Sequence, residues 1–445
     1  MTILHTLLSS FQPAFSNTSL GQERANWFIQ TILTVIVPCS SSITSNLLRI
    51  LHTLFAIDIT QRRFYIFMAS PKIPWQRLWI ILWGMIPTPL TNGRLVVALD
   101  DFINPKVGKN IFGCATFFDH AAKANQSEYP WAQNVVCLGL LNQIKNRWAC
   151  LPLASCFYLP KQAIDQKTIN ATKSNQTVPF ENKLSQSVAM LVKVAKAFTN
   201  VTILVVCDSW FGNNGLLQPA RKEIGSRLHI LSRLRSNAVI CAQPEPKAKP
   251  QRGRPLKYGN RLGTTSDLAS QHRQNAQEYS VYMYGQQLTI LAFSSLVMLP
   301  SLKCLIRVVW VYRKSQWTAL FTTDLTLTVV EIVQLYAARW KIEASFKELK
   351  QEIGSHYSQT RNAHAVTNHI NFCMMALSLV WIYADKSDTI PQRHHSVSGR
   401  DSFAFSDVRR LMTEAILSED FSQVFPLSLN PVRKWLASVL LRLAA

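Results

Sequence analysis

Acidic residues are scarce in this sequence. In 445 residues there are 25 Asp and Glu against 47 Lys and Arg, which gives a formal charge of +22. Such an excess of positive charge favours a polyanionic partner, either nucleic acid or an anionic membrane surface. Because carboxylates are few, those that end apolar runs are the more informative.

The sequence also lacks the signatures of several common kinds of site. Its nine cysteines are scattered from Cys39 to Cys373 without a CxxC pair. This disfavours a structural zinc site or a disulfide framework and agrees with reduced thiols in a cytoplasm. The glycines of a P-loop and a Ser-His-Asp order are missing too, so these site types are disfavoured.

Membrane signals are weak. The apolar runs at 27–38 and 78–87 are shorter than the roughly 20 residues that span a bilayer. The N-terminus lacks a basic region followed by a small-residue cleavage site, so we expect no signal peptide. These features predict a protein that stays inside the cell that makes it.

What is present indicates a globular protein. The sequence has 48% hydrophobic residues and 12 Trp, and its length allows two or three domains. Residues 1–90 look helical, and the segment 38–51 is compatible with the turn and second helix of a helix-turn-helix. A helical bundle that only packs is an equal alternative.

Two buried-strand patterns end in carboxylates. The apolar run from residue 94 ends in Asp100 and Asp101, and the β-branched run from residue 201 ends in Asp208, before a turn rich in Gly and Asn. Parallel sheets place their ligand sites at the carboxyl ends of strands. For each carboxylate taken alone, capping of the following turn or helix is the alternative.

A third feature is a helix predicted over 336–353, a stretch without Pro or Gly. At about 100° per residue, Tyr336, Arg339, Glu343 and Lys350 fall within an arc of roughly 60°. A neighbouring arc is apolar and predicts the side that faces the core. Its members are Leu335, Ile342, Phe346, Leu349 and Ile353. For Glu343 alone, an ordinary solvated charged face is the alternative.

The spacing of Tyr336, Arg339, Glu343 and Lys350 resembles the YREK signature of DDE transposases from bacterial insertion-sequence elements. In that family the Glu is the third metal-binding carboxylate, and the Tyr, Arg and Lys hold the DNA end. The resemblance therefore implies an RNase H-like catalytic core with two further catalytic Asp residues upstream.

The resemblance also assigns those acids. Asp208 opens an Asp-Ser-Trp-Phe-Gly sequence similar to that of the family's second catalytic Asp. After Asp100 and Asp101 the usual Thr is Phe102, which leaves open which Asp binds metal. Asp100 is favoured, because RNase H-like sheets place this Asp directly at the end of the first strand, and Asp101 is the reserve.

The implied chemistry is metal-dependent. Asp100, Asp208 and Glu343 would bind two Mg²⁺ or Mn²⁺ ions, hard cations that prefer oxygen ligands. Two such ions can support the in-line phosphoryl displacement that cuts the element's end and joins its 3′-hydroxyl to target DNA.

The expected fold is α/β. It is an RNase H-like mixed sheet flanked by helices, with a β-rich insertion before the last catalytic helix and helical N- and C-terminal regions. The expected domains are a DNA-binding region at 1–90, a catalytic domain at 91–355 with the insertion at about 237–330, and a helical region at 356–445. Core strands are predicted at 94–101, 110–118, 133–141, 201–207 and from 227, with helices at 180–199 and 213–225. Insertion strands are predicted at 281–293, 303–312 and 317–323, and later helices at 368–384, 407–417 and 430–444.

Further basic residues are expected at DNA. Arg233 and Arg235 alternate to one side of a predicted strand. The proline-rich segment 244–259 predicts an extended, mobile loop in which Arg252, Arg254 and Lys257 meet phosphate. Residues 252–255 resemble the core of a minor-groove AT-hook, and a plain basic loop is the alternative.

The resemblance thus implies a transposase that binds double-stranded DNA at the transposon ends and in the target. A homodimer on DNA, the absence of a membrane partner and a bacterial cytoplasmic location at the nucleoid are further expectations. One alternative is a catalytically decayed, non-enzymatic DNA-binding protein on the same scaffold. A membrane-surface protein is the other, and the interior position of both apolar runs disfavours it.

Overall fold

The computed structural model describes residues 2–38, 41–119, 122, 124–245, 256–395, 402–418 and 435. Its helices are α1 (Ile3–Ser9), α2 (Ser19–Ile36), α3 (Thr44–Thr53), α4 (Gln61–Met68), α5 (Trp75–Gly84), α6 (Lys161–Asp165), α7 (Lys183–Ala197), α8 (Asn214–Ile224), α9 (Thr265–His272), α10 (Val329–Ala338), α11 (Trp340–Lys347), α12 (Ala363–Lys386) and α13 (Phe405–Ile416). Its strands are β1 (Arg94–Pro105), β2 (Cys114–Thr116), β3 (Trp131–Ile144), β4 (Arg147–Tyr158), β5 (Thr172–Lys173), β6 (Gln176–Thr177), β7 (Thr202–Cys207), β8 (Leu228–Arg233), β9 (Val239–Cys241), β10 (Arg261–Thr264), β11 (Gln277–Met283), β12 (Gln286–Leu299), β13 (Cys304–Arg313) and β14 (Gln316–Thr322). The helix predicted over 430–444 lies outside the described residues, apart from Trp435.

The core of the molecule is a mixed sheet. Its central strands have the order β4-β3-β1-β7-β8, in which β3 is antiparallel to both neighbours and β1, β7 and β8 run parallel. The helix α7 precedes β7, and α8 connects β7 to β8. Three antiparallel strands followed by two parallel ones is the RNase H-like arrangement, so the predicted fold class is confirmed.

Strand β1 does not end at the two acids, contrary to the prediction. It continues to Pro105, paired antiparallel with β3. Its parallel pairing with β7, by contrast, stops at Leu99 opposite Cys207. Asp100 therefore lies just past the last pair of residues that β1 forms with β7, beside the carboxyl end of β7.

One of the three antiparallel core strands was predicted in the wrong place. Residues 110–118 contribute only the short edge strand β2, whereas β4 forms a long hairpin with β3. The hairpin turns at Lys145 and Asn146, which have φ values of 48° and 62°. Pro152 lies inside β4 and argues against a strand when the sequence is considered alone. The sheet accommodates it through a shift of register beside Gly139.

The β-rich insertion extends the core sheet. Strand β14 pairs with β8, and the sheet continues through β13, β12, β9 and β10, with β11 beside β12. The prediction of one strand over 281–293 was wrong, because Tyr284 and Gly285 turn the chain between β11 and β12 with φ values of 57° and 86°.

Helix α12 is the central helix of the core. It is long and apolar enough to cross a bilayer, and 89% of its most apolar window is buried inside the protein. Asn368 on this helix donates to the carbonyl oxygens of Met68 and Ser70 and accepts a bond from Trp75 Nε1. These bonds attach the N-terminal helices to α12, and both belong to one hydrophobic core with the sheet.

A buried arginine attaches α13 to the same core. Arg409 is 5% exposed and donates to the carbonyl oxygens of Val35 and Ile36 at the end of α2. It also donates to the carbonyl oxygen of Glu352, at the end of the helix that carries Glu343. The bonds satisfy carbonyls that a helix end leaves unpaired, so α13 supports the helix of the candidate site.

Buried His369 gives the fold a specific pH dependence. Its Nε2 lies 2.6 Å from the carbonyl oxygen of Ser42, and burial lowers its pKa to about 4 from an ordinary value of 6.5. The unfolded chain is protonated first as the pH falls, so this contribution to stability is present above pH 6.5 and lost on the way to pH 4.

We therefore expect the wild type to lose about 3 kcal/mol relative to His369→Gln between those pH values. Denaturation curves of both proteins at several pH values measure the difference, in which other titrating groups cancel. Parallel pH profiles for the two proteins would contradict the prediction.

Candidate active site

Asp208 is fixed at the carboxyl end of β7, as predicted. It follows Cys207, the last residue of the strand. Its Oδ1 accepts bonds from the backbone N–H groups of Trp210 and Phe211, both at 3.0 Å. Ser232 on β8 donates through Oγ to the Asp208 carbonyl oxygen at 2.7 Å. Backbone and carboxylate are thus held at the edge of the sheet.

The glycine of the Asp-Ser-Trp-Phe-Gly sequence permits this tight arrangement. The Gly212 N–H donates to the Asp208 carbonyl oxygen at 3.0 Å. A Cβ at Gly212 would lie 2.2 Å from Ser232 Oγ, closer than real contacts allow. A larger residue at this position would therefore disturb the backbone of Asp208.

Arg339 bridges two of the predicted carboxylates. It is 8% exposed and lies between α10 and α11. Its Nη1 donates to Asp100 Oδ2 at 2.9 Å, and its Nη2 donates to Glu343 Oε1 at 2.8 Å. One guanidinium therefore joins strand β1 to helix α11 at the acidic site.

The pKa shifts of Asp100 and Tyr336 indicate that Asp208 and Tyr336 lie near Asp100 and Arg339. Burial raises the pKa of Asp100 to about 7; the charge of Arg339 lowers this pKa, and the nearby Asp208 carboxylate raises it further. Burial also raises the pKa of Tyr336, against the lowering effects of Arg339 and Arg233. The structure thus brings together acidic, basic and phenolic groups from β1, β7, β8 and the helical segment 329–352, which we call the site helix.

Asp101 faces the other side of the sheet, because side chains alternate along a strand. Lys183 Nζ lies 2.8 Å from Asp101 Oδ2, and Asn134 Nδ2 donates to the same oxygen at 2.7 Å. Asp100, in contrast, faces Arg339 and Glu343. Sequence reasoning missed Lys183 and Asn134, since only the fold brings them to Asp101.

Phe102, which follows the two acids, is a packing residue. It is 5% exposed, and its ring centroid lies 4.5 Å from that of Phe346 on α11. This contact holds the site helix against β1.

The site helix is not the single regular helix predicted over 336–353. It begins at Val329, is interrupted at Arg339, and has a π-helical turn over Glu348–Glu352. A π-turn changes the angular spacing, so the predicted common arc does not extend to Lys350. Lys350 contacts β1 instead, where its Nζ donates to the Ile103 carbonyl oxygen at 3.4 Å.

The apolar side of this helix was predicted correctly. Its five members are buried: Leu335, Ile342, Phe346, Leu349 and Ile353. Gly354 ends the helix in the left-handed region, with a φ of 81°.

The other basic residues predicted to contact DNA are exposed or lie outside the described residues. Arg233 and Arg235 are exposed, but β8 ends at Arg233 and Arg235 lies in the following turn, so the predicted alternation does not include it. Lys257 is exposed, while Arg252 and Arg254 lie outside the described residues.

The donor chemistry of the site suits a hard divalent cation. Asp100, Asp208 and Glu343 offer carboxylate oxygens, and a buried Asp100 with a pKa near 7 needs a cation to stay ionised. Within the part of the chain that the structure describes, no group of three or more His, Cys, Asp or Glu is arranged to hold a metal ion. Arg339 supplies the positive charge here, at Asp100 Oδ2 and Glu343 Oε1.

An RNase H-like sheet with acids at the end of β7 and on the closing helix defines a class of nucleic-acid nucleases. A family model described as DDE superfamily endonuclease matches residues 19–287, more than half of the chain, and the chain therefore belongs to this family. A second model, of the archaeal transposase ISC1217, matches residues 264–385, which include Glu343. No individual curated protein matches the chain.

The protein is thus a transposase-type nuclease of the insertion-sequence kind, whose family implies DNA as a partner. Members of the DDE superfamily generally use divalent metal ions.

Proposed function

We propose that the protein is the transposase of its insertion sequence: it binds the element's ends, cleaves phosphodiester bonds and joins the 3′-hydroxyl ends to target DNA. The observation that supports this most strongly is the Arg339 guanidinium bridging Asp100 and Glu343 beside Asp208. Acids from distant parts of the sequence meet there at a sheet edge where parallel α/β proteins bind ligands.

Asp100, Asp208 and Glu343 are the residues proposed to hold two Mg²⁺ or Mn²⁺ ions. When bound, such ions polarise the phosphate and activate water or a DNA 3′-hydroxyl. The protein's own contribution is to fix these carboxylates: Asp208 through two backbone N–H groups, and Asp100 through its place in the middle of β1.

Arg339 is proposed to exchange its carboxylate partners for a DNA phosphate. A guanidinium presents a rigid fork that matches carboxylate and phosphate alike. Its buried Nε has no hydrogen-bond partner in the described structure, so the present contacts leave at least this donor unused. Tyr336 beside it and Lys350 along β1 are proposed to hold the same DNA end.

The exposed cations are proposed to bind the DNA backbone. Arg233 lies near Tyr336, and Arg235 and Lys257 are exposed. Arg252 and Arg254 belong to the same proposal. We expect DNA affinity to fall steeply with salt, because each neutralised phosphate releases counterions. A homodimer on DNA and a location at the bacterial nucleoid complete the proposal.

The two adjacent acids provide a direct test. Asp100→Asn should lower Mg²⁺-dependent cleavage of DNA carrying the element's end by about a thousandfold or more, because a ligand charge is lost. Asp101→Asn removes the ion pair with Lys183 and weakens the bond from Asn134, both on the other face, so its cleavage should stay within about tenfold of wild type.

A cleavage assay run beside a gel shift separates chemistry from DNA binding in both variants. The reverse order of the two effects would show that Asp101, and not Asp100, is the reacting acid. Absence of cleavage by the wild type, with DNA binding intact, would favour the decayed DNA-binding protein instead.

A further inference from the structure

We infer that a basic surface beyond the end of β1 binds the backbone of the DNA duplex at a fixed distance from the reacting phosphate, an inference that rests on the proposed function. This distal basic surface is formed by Lys109, Lys173 and Arg361. The three residues follow β1, end β5 and precede α12, respectively. They belong to segments that are far apart in the sequence, so only the fold brings them to one place.

Uncharged side chains join the three segments. Asn170 Nδ2 donates to the carbonyl oxygens of Asn110 at 3.0 Å and of Arg361 at 3.4 Å. Between β5 and β6, Ser174 places its Oγ 2.8 Å from Nε2 of His364, in the first turn of α12. These bonds are made by amide, hydroxyl, imidazole and backbone groups. They hold the segments together without using the positive charges of the distal basic surface.

A buried lysine fixes this region to β1. Lys106 is 8% exposed, and its Nζ donates to the carbonyl oxygens of His356 and Ser358, just past the site helix, at 2.8 Å each. Gln359 Oε1 then accepts a bond from the Gly108 N–H at 3.3 Å. Burying an ammonium group is costly unless it is hydrogen-bonded, and burial lowers the pKa of Lys106 to about 8. The segment after β1 is therefore held in a defined position relative to the strand.

The charge of the distal basic surface suits an anionic partner. Lys109 and Arg361 are exposed, and Lys173 is half-buried. Within the described ranges of the chain, none of the three forms an ion pair. Burial lowers the pKa of His364, and the charge of Lys173 lowers it further. Like charges on one surface repel one another, and a bound polyanion replaces this repulsion with attraction.

The distance from the candidate active site matches duplex DNA. Lys106 follows Asp100 by six residues (106 − 100). At about 3.3 Å per residue they span roughly 20 Å, the length of about six base pairs of B-DNA at about 3.4 Å each. Lys350, already proposed to hold DNA, contacts Ile103 between them. A duplex that reacts at Asp100 and runs along β1 therefore reaches the distal basic surface about six base pairs away.

The test measures how DNA binding depends on duplex length. Duplexes carrying the element's end extend about 4 or about 15 base pairs on one side of the cleavage position, and a second series varies the other side. They are titrated in EDTA and followed by fluorescence anisotropy. We expect the double variant Lys109→Gln, Arg361→Gln to weaken binding of the long duplex in one series by about tenfold and to lower its salt slope by about two. Binding of the matching short duplex should change by less than about twofold, because this duplex ends before the distal basic surface.

Two further double variants serve as controls. Lys109→Arg, Arg361→Lys keeps both charges and should bind the long duplex as wild type does. Lys222→Gln, Lys303→Gln removes two exposed cations at the edge of the sheet where β8 and β13 begin, opposite the carboxyl end of β7. This variant should change the binding of either duplex by less than about twofold, because exposed charges that far from the DNA are screened by salt.

Equal losses for long and short duplexes in both series, or no loss for any of them, would overturn the inference. An equal loss in the Lys222→Gln, Lys303→Gln control would also overturn it, since net charge alone would then explain the effect. Because the titration contains no metal, the expected length dependence in a protein that fails to cleave end DNA would contradict the proposed chemistry alone. Normal cleavage with binding insensitive to Lys109 and Arg361 would contradict this inference alone.

Discussion

Glu343→Gln should lower DNA cleavage by about a thousandfold or more and leave DNA binding within a few-fold of wild type. Gln keeps the size of the side chain and the helix, and its amide oxygen can still accept the bond from Arg339 Nη2. What it loses is the negative charge of a proposed metal ligand. Charge stabilisation at the reacting phosphate is commonly the largest part of the barrier reduction.

The matched control is Glu352→Gln. Glu352 is exposed at the end of the same helix, past the turn that follows α11, whereas Arg339 contacts Asp100 and Glu343. The substitution removes an equal charge and should leave cleavage unchanged. Wild-type cleavage by Glu343→Gln would rule out Glu343 as the third carboxylate, and the mechanism would lose its main support.

Arg339→Ala should have two opposite effects. DNA-end binding should weaken by about tenfold, because a bidentate phosphate donor is lost. Mn²⁺ binding to the DNA-free protein should tighten by about tenfold, because an ion no longer competes with a guanidinium bonded to Asp100 and Glu343. In the wild type, Arg339 would leave the carboxylates in order to bind a DNA phosphate. Metal binding at the carboxylates and DNA binding would therefore strengthen each other.

Isothermal titration with Mn²⁺ and a gel shift measure the two effects separately from catalysis. Burial raises the pKa of Asp100 to about 7 and Arg339 lowers it, so both proteins are titrated at the same pH, above this pKa but low enough that Mn²⁺ stays in solution. The control is Arg233→Ala, which removes an exposed cation near Tyr336 and should weaken DNA binding alone. Unchanged or weaker Mn²⁺ binding by Arg339→Ala would refute the competition.

The parts of the candidate site that depend on a local sequence pattern were predictable. A β-branched run ending in one carboxylate, followed by Gly and Asn, placed Asp208 at the end of β7. The apolar stripe of the site helix is likewise a property of neighbouring residues, and all its members are buried. Such patterns depend on the periods of helix and strand, which the backbone sets locally.

Predictions failed where long-range packing or local irregularity intervened. The regular spacing assumed for Lys350 does not hold past the interruption at Arg339 and the π-turn at Glu348–Glu352. Strand β4 was missed because Pro152 opposes a strand by its own preference, and only the register shift beside Gly139 admits it. The first failure is a departure from the uniform helical period that the prediction assumed, and the second depends on how β4 pairs with β3.

The sequence by itself determined the strand that ends at Asp208, the apolar side of the helix with Glu343 and the resemblance of that helix to a known signature. Because β1 continues through both residues, Asp100 and Asp101 face opposite sides of it, since side chains alternate along a strand. Only the tertiary structure decided which side holds the site: Arg339 and Glu343 lie against Asp100, and Lys183 lies against Asp101. The physical reason is that alternation is set by adjacent peptide units, whereas the occupant of each face comes from distant segments brought together by burial of the common core.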